Sequence, residues 1–518
     1  MSFGENTRVN KVKSIKIYIV VFSATILLLV ALRGIYYEQN TCLGIPLIKE
    51  SELLACSEEL EIDFAEITFN GISVAADEES KTIYISQSSK MISRSSNLQG
   101  TLGTNNPKQE LYFLKDAHLQ NLKETVNNAE YITLVVVEGD VMSKIKVAIS
   151  TLPIISLDGE CLDEYTHKWV PIYTGDLTVF AGENSATGKM NTETYSAKWR
   201  VRGGKSANLN KKPQKISLKK ENGENLNADL LGMGADDDWI LNPMNLDDTK
   251  VKEKTAIDLW NSYIMDSTSD YPMSTSQYVE VVIDGKYQGL YLLQRRLDTK
   301  FLGLDKERDI IFKGRPTWVA PTLYEGYEIV HSPYDELQTY YILQEYLLAV
   351  DETNYINVNT FLHFLSAVDN VGYKNMYYIL KQDESGRYTM YLLPWDTDIS
   401  MGVIPNIGSP IHAYDYDISM NQYCKRMYYY NVMLEYTDLD DKMAERWYEL
   451  REDVFCTGGA WEQLLEENTE CIQKSGAMAR DYMTYGYIYE GKDTIENLFK
   501  WSKEKSELID AYWEEICK

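Results

Sequence analysis

Positive charge is in short supply in this chain. Its 51 lysines and arginines face 78 aspartates and glutamates, a formal net charge of −27. Such a surface repels polyanions and lacks the basic footprint that nucleic-acid phosphates require, so no nucleic-acid partner is expected. A nucleotide could be handled only where cations are concentrated locally. Histidine is scarcer still. His118, His167, His331, His363 and His412 are scattered, and no HxxxH or His-His-carboxylate spacing points to a histidine-built metal site. The seven cysteines contain no CxxC pair, which argues against a zinc ribbon. Cys424, Cys456, Cys471 and Cys517 cluster late in the chain. If that region lies outside the cytoplasm, one or two disulfides are expected there. There is no internal repeat and no long low-complexity tract.

What is present is globular. Hydrophobic residues make up 44% and charged residues 25%, and 518 residues are too many for one core, so two or three domains are expected. The 39 tyrosines fit tyrosine-rich β-structure and carbohydrate binding, and are specific to neither. Near the start, IYIVVFSATILLLVAL (17–32) is uncharged and follows Arg8, Lys11, Lys13 and Lys16. At about 1.5 Å per residue it spans about 24 Å of a roughly 30 Å hydrocarbon layer, and Lys16 and Arg33 can snorkel at its ends. A cleaved signal peptide is the rival reading, but the run is long for one and no clear A-x-A site follows. The reading is a cytoplasmic basic tail (1–16), a transmembrane signal anchor (17–37) and a juxtamembrane linker (38–59). The excess of flanking cations puts the N-terminus in the cytoplasm and the bulk of the chain outside it.

After the linker, residues 60–160 alternate between apolar runs and turn signals such as Asn70-Gly71 and Gly139-Asp140. The pattern predicts a small β-sandwich-like module, read chiefly as a spacer. From 165 to about 330 further strands appear, with a helix over 247–265 and a hairpin turning at Asp284-Gly285. From about 331 to 518 the periodicity is mainly helical, broken by one hairpin over 376–393. The fold class is α+β, with a β-rich lobe, a helical lobe and a cleft between them.

The hairpin carries the chemistry. It is preceded by a helical pattern, INVNTFLHFLSAV, then Asp369 and a short loop to Asn375. It is followed by Pro394-Trp395-Asp396-Thr397-Asp398. A hairpin brings its two ends together, so Asp369, Asn375 and Asp396 should converge. Oxygen donors of this kind suit Mg²⁺ completed by phosphate oxygens, with Asp369 left to orient an attacking hydroxyl, the layout of a kinase catalytic loop. Asp at strand ends is also common as a plain turn former. A second segment bears on the choice. Arg200-Val201-Arg202-Gly203-Gly204 leads to Lys211-Lys212-Pro213-Gln214-Lys215, a cationic strand pair around a glycine turn that could neutralise phosphates. Read alone, it could equally be a solvated basic edge.

Five segments in this order resemble the CotH family of spore-coat-type atypical protein kinases over roughly residues 170–518. They are RGGKSANLNKKPQKISL, DWILNPMNLDDTKVKEKTAIDLW, VEVVIDGKYQGLYLL, VDNVGYKN and PWDTDISMG. The resemblance implies a two-lobed kinase-like CotH domain over 165–518 that transfers phosphate from Mg-ATP (or Mn-ATP) to protein Ser/Thr hydroxyls. By position it implies Asp369 as catalytic base and Asn375 and Asp396 as metal ligands. Asp398 would be a second ligand or loop support. Arg202, Lys212, Lys215 and Arg295 are the candidates for nucleotide phosphates, and Trp395 packs. Many members carry a glutamate after the GLYLL strand; here Gln294-Arg295-Arg296 stands. Either another acid such as Glu280 takes that place, or arginine meets the phosphates. Two alternatives stay open: a cell-surface or spore-coat interaction protein with a degenerate kinase-like domain, reaching a wall or coat partner through its β module, and another nucleotide-dependent transferase.

Overall fold

A computed structural model describes residues 41–517, apart from 55, 58–59, 94–97, 167–169, 184–189, 316–325, 371–374, 407–408, 413–437 and 489–492. The expected tail and anchor (1–37) lie outside the described residues. Among the described ones no helix is long and apolar enough to cross a membrane. The chain forms two compact units: residues up to Thr151 with Ala181–Thr192, and Leu152–Phe180 with Glu193–Lys518.

The first unit is built on a seven-stranded mixed sheet, ordered β1-β2-β8-β9-β10-β6-β5. Its strands are β1 (Thr41–Cys42), β2 (Ile45–Ile48), β5 (Ala75–Asp77), β6 (Thr82–Ser86), β8 (Glu110–Leu114), β9 (Ile132–Glu138) and β10 (Val141–Ser150). A small sheet of β3 (Ile67–Phe69), β4 (Ile72–Ser73) and β7 (Leu102–Thr104) accompanies it. Helices α1 (Ala117–Gln120) and α2 (Leu122–Asn127) lie between β8 and β9. This corrects the β-sandwich expectation: β6 runs parallel to β10 and β2 parallel to β8, and parallel pairs need crossovers rather than hairpins. It also corrects the linker. Residues 41–48 are strands of this unit, and Cys42 and Leu43 are buried. The Asn70-Gly71 turn is as expected, with both residues at positive φ.

The second unit begins with a closed barrel, β11-β12-β13-β14-β17-β19-β18. Its strands are β11 (Ile154–Tyr165), β12 (Pro171–Glu183), β13 (Met190–Val201), β14 (Gln214–Lys219), β17 (Asp238–Asn242), β18 (Ser276–Ile283) and β19 (Lys286–Arg295). Short strands β15 (Ala228–Asp229) and β16 (Ala235–Asp236) pair beside it. Alternation decides what goes inside. Leu157, Leu177, Trp199, Ile216, Trp239, Val281 and Leu293 fill the barrel. The opposite face differs by strand. On β17, β19 and β18 it presents Ile240, Leu290, Leu292 and Tyr278, which join the core of the helical part. On β13 and β14 the outward positions are Lys198, Arg200, Lys215 and Ser217. Closure removes sheet edges, and the cationic pair is therefore not the solvated basic edge that the sequence also allowed.

Helix α3 (Lys252–Leu259) continues as a π turn over Trp260–Ile264 and packs its apolar side into the same core as the barrel's outer face. Strands β20 (Ile310–Gly314) and β21 (Tyr327–His331) pair with the hairpin β22 (Met376–Gln382) and β23 (Tyr388–Pro394). The β-rich lobe thus ends with the barrel at Arg295, and residues 310–331 belong with the hairpin, not with the first lobe as expected. Helices α4 (Glu336–Tyr346), α5 (Glu352–Leu365), α6 (Leu439–Asp453), α7 (Ala460–Lys474), α8 (Ala477–Tyr485) and α9 (Ile495–Ile516) complete the unit. Among the described residues every cysteine is free; Cys424 lies outside them, so the expected late disulfides do not form among Cys456, Cys471 and Cys517.

Candidate active site

The hairpin closes its ends as a two-stranded antiparallel pair must. Met376 lies opposite Pro394, and one residue further out Trp395 N–H donates to Asn375 O at 2.9 Å. Asn370 clamps both ends, its amide donating to Asn375 O (2.9 Å) and Trp395 O (2.8 Å). Helix α5 ends at Ser366 with φ of 49°, and a single 3₁₀ turn, Val368–Asn370, then delivers Asp369. Asn375 and Asp396 flank the hairpin in the left-handed region, with φ of 54° and 61°. Asn and Asp tolerate that region best among residues with a side chain, and such geometry gathers at functional sites.

These backbone choices bring three oxygen-bearing residues together. The Asn375 amide nitrogen donates to Asp369 Oδ2 at 3.1 Å and to Asp396 O at 3.4 Å, which leaves the amide oxygen as the atom able to ligate. Asp369 is buried and Asp396 partly exposed. Trp395 packs as expected, edge-on to Tyr377 at 6.0 Å, with Lys313 Nζ 5.8 Å from its ring centre. Between the two acids of the Asp396-Thr397-Asp398 loop, Thr397 is held by Glu253 of α3. Oε2 of Glu253 accepts from Thr397 N–H (2.6 Å) and Oγ1–H (2.8 Å).

The sequence reading missed Glu253. Its signal was present: TKVKEKTAIDLW places a glutamate in the first turn of an apolar helix, but nothing local says which loop it meets. Burial, and then Asp396, push its carboxyl up to about 7. Asp398 is driven well above the carboxylate range, first by burial and then by Asp396, Glu253, Asp247 and Asp369. Negative charge is thus crowded here. Among the described residues no three His, Cys, Asp or Glu side chains are spaced to hold a metal ion by themselves. The donor set is carboxylate plus amide oxygen. That fits a hard cation which takes one or two protein carboxylates and completes its shell with water and phosphate, and does not fit a closed structural metal site.

Cations gather on the outer face of β13 and β14. Arg200 stands directly opposite Lys215. Lys215 and Arg296 both pair with Asp238, each at 2.9 Å. Arg202 follows on the same face, where burial lowers its pKa while Tyr377 and Asp396 hold it up. Arg200 is lowered by burial and then by Arg296, and Lys215 by burial, partly offset by Asp238. For Arg296 burial lowers the pKa, but Asp238, with Tyr377 and Asp298, outweighs it and the net shift is upward. Arg200, Arg202, Lys215 and Arg296 therefore form one electrostatic group that reaches the Asp396 loop.

Other candidates are placed elsewhere. Arg295 points away into Asp236 (3.1 Å) and stacks on Phe301, because one step along a strand reverses the face. Lys212 Nζ donates to Ala207 O at 3.0 Å, closing its own loop. Glu280 forms a buried two-pronged pair with Arg480 at 2.9 and 2.6 Å, so it is not the acid that pairs a phosphate-binding cation.

The second unit thus joins a seven-stranded barrel with a cationic face to a helix, an acid-bearing loop, a hairpin and a second acidic loop, an α+β arrangement. The family model described as CotH kinase protein matches residues 199–509, and the chain belongs to the CotH family. No curated protein matches the chain.

Proposed function

We propose that the chain is a phosphotransferase moving the terminal phosphoryl group of ATP to a protein Ser or Thr hydroxyl, with a divalent metal as cofactor. The observation that carries this reading is the convergence of Asp369, Asn375 and the Asp396 loop beside the Arg200–Arg202–Lys215–Arg296 group, in a chain whose charge is otherwise strongly negative. The cations would hold the nucleotide phosphates; of the candidates Arg202, Lys212, Lys215 and Arg295 that the resemblance implies, we keep Arg202 and Lys215 and add Arg200 and Arg296, since Lys212 and Arg295 are engaged elsewhere. Asp396 and Asn375, with Asp398 beside them, would hold Mg²⁺ or Mn²⁺. When bound, the metal supplies charge neutralisation on the phosphates.

Asp369 would accept the acceptor hydroxyl's proton as the new O–P bond forms and the bond to ADP breaks. Thr397, fixed by Glu253, would keep the two acids of its loop apart and in register. Residues 17–37 would anchor this activity at a membrane with the N-terminus cytoplasmic, and the first unit would be the surface for a wall or coat partner.

The test is Mg²⁺- and Mn²⁺-dependent ATP binding by the full-length chain, measured by calorimetry beside Asp396→Ala and Asp369→Ala. Asp396→Ala should abolish the metal-dependent part of binding. Asp369→Ala should leave binding in place and lower turnover by at least about 100-fold. A folded wild type that binds no nucleotide would sink the proposal in favour of a surface interaction protein.

A further inference from the structure

The Asp247-Asp248-Thr249 turn that opens helix α3 has no part in the proposed chemistry, yet it is among the most heavily tied turns in the unit. Asp247 accepts from Thr249 N–H (2.9 Å) and Lys252 N–H (2.9 Å), and so starts the helix. Asp247 Oδ1 also lies 3.5 Å from Lys252 Nζ, and further ties come from residues 482–493. Asp493 Oδ2 accepts from Asp248 N–H (3.0 Å) and from Lys252 Nζ (2.5 Å). Asp248 Oδ1 accepts from Ile488 N–H at 2.8 Å, and Tyr482 O–H donates to Asp248 O. Lys252 and Asp493 are both wholly shielded from solvent. Lys252 is followed directly by Glu253, the residue that holds Thr397.

We infer that Asp493 is a positioning residue for the metal-binding loop, acting through Lys252 and the first turn of α3 on Glu253 and Thr397; this rests on the function proposed above. A buried ion pair contributes little net stability compared with apolar side chains of the same size, whereas breaking one side of it is costly. Its value lies in fixing one geometry. Here the fixed object is the start of a helix whose second residue reaches the loop between Asp396 and Asp398. Outer partners of this kind change metal affinity without touching the metal.

The experiment uses the full-length chain with Asp493→Asn and, as a paired replacement, Lys252→Met/Asp493→Leu/Asp247→Asn, which removes the cation together with both carboxylates that face it. Two quantities are read: amide hydrogen exchange at Thr397, whose N–H donates to Glu253, and ADP affinity with and without Mn²⁺. Thr397 should exchange faster while β14 in the barrel keeps its wild-type rate. The Mn²⁺-dependent gain in ADP affinity should fall about tenfold, with metal-free ADP binding unchanged. A purely structural tie would loosen both segments or neither. If Asp493→Asn fails to fold, the paired replacement is read by the same two criteria. Wild-type exchange at Thr397 in folded variants would overturn the inference. A wild type that binds no Mn-ADP would instead refute the proposed function, and the exchange result would still decide the tie.

Discussion

At the scale of single residues, the neighbours Arg295 and Arg296 separate two kinds of contribution. Both are arginines at the end of β19, and the sequence reading put Arg295 and not Arg296 among the phosphate candidates. The strand's alternation turns Arg295 toward Asp236 and Phe301, and leaves Arg296 on Asp238 beside Lys215. Arg296→Ala should therefore weaken nucleotide binding by roughly 10- to 100-fold, the loss of one charge-assisted contact of about 1.5–3 kcal/mol, with little change in folding stability. Arg295→Ala should do the reverse: about 2–3 kcal/mol of stability lost on breaking a shielded ion pair, and nucleotide affinity retained in the folded fraction. Calorimetric titration and denaturant unfolding of the two variants give the comparison, and equal effects on binding would show that the cationic group is drawn wrongly. The converging trio was legible because Asn375 and Asp396 bracket one hairpin and Asp369 sits six residues upstream. Glu253 was not, because its contact with Thr397 spans more than a hundred residues, and no local pattern encodes that distance.

At the scale of elements, legibility followed the range of the pairing. Hairpins were readable from their turns: Asp284-Gly285 joins β18 to β19, and Glu384 to Arg387 fall in the turn between β22 and β23. Parallel pairings were not. β11 lies alongside β18, Ile154 opposite Glu280, and that contact closes the barrel; β2 finds β8 in the same way and turns an expected linker into part of a sheet. Helix α5 shows what burial does inside a readable element. Its INVNTFLHFL face is wholly enclosed, and His363 is carried inside with it. Burial, and then Lys505, hold His363 well below its ordinary pKa. The unfolded chain takes up a proton near pH 6.5 that the folded chain refuses, so the contribution is present above that pH and is lost as pH falls. Between pH 7.5 and pH 5.5 the loss approaches about 1.4 kcal/mol. His363→Gln should remove that part of the slope; denaturant unfolding at the two pH values, wild type against variant, measures it, and parallel slopes would place His363 in contact with water.

At the scale of the whole molecule, the composition was read too generously for tyrosine. Four of the tyrosines are core residues whose hydroxyls are spent on backbone carbonyls: Tyr278 on Lys250, Tyr291 on Lys212, Tyr340 on Tyr327 and Tyr388 on Arg308. They help to fill the cores of the barrel and of the helical part, since each ring brings a large apolar area and one polar atom that must be paired. Charge works differently, because a field of −27 acts at a distance on whatever approaches. In the proposed reaction, the cationic group would offset it where the nucleotide sits, and the acceptor would meet the acidic remainder. On the proposed function, a Ser/Thr peptide flanked by lysines should be phosphorylated at least about tenfold more efficiently, by kcat/KM, than the same peptide flanked by glutamates at low ionic strength, as electrostatic steering requires. The gap should narrow as salt rises toward 0.5 M, where the screening length falls to about 4 Å. A preference for the acidic peptide, or one indifferent to salt, would mean that the acceptor is recognised by fitted contacts rather than by the field of the molecule.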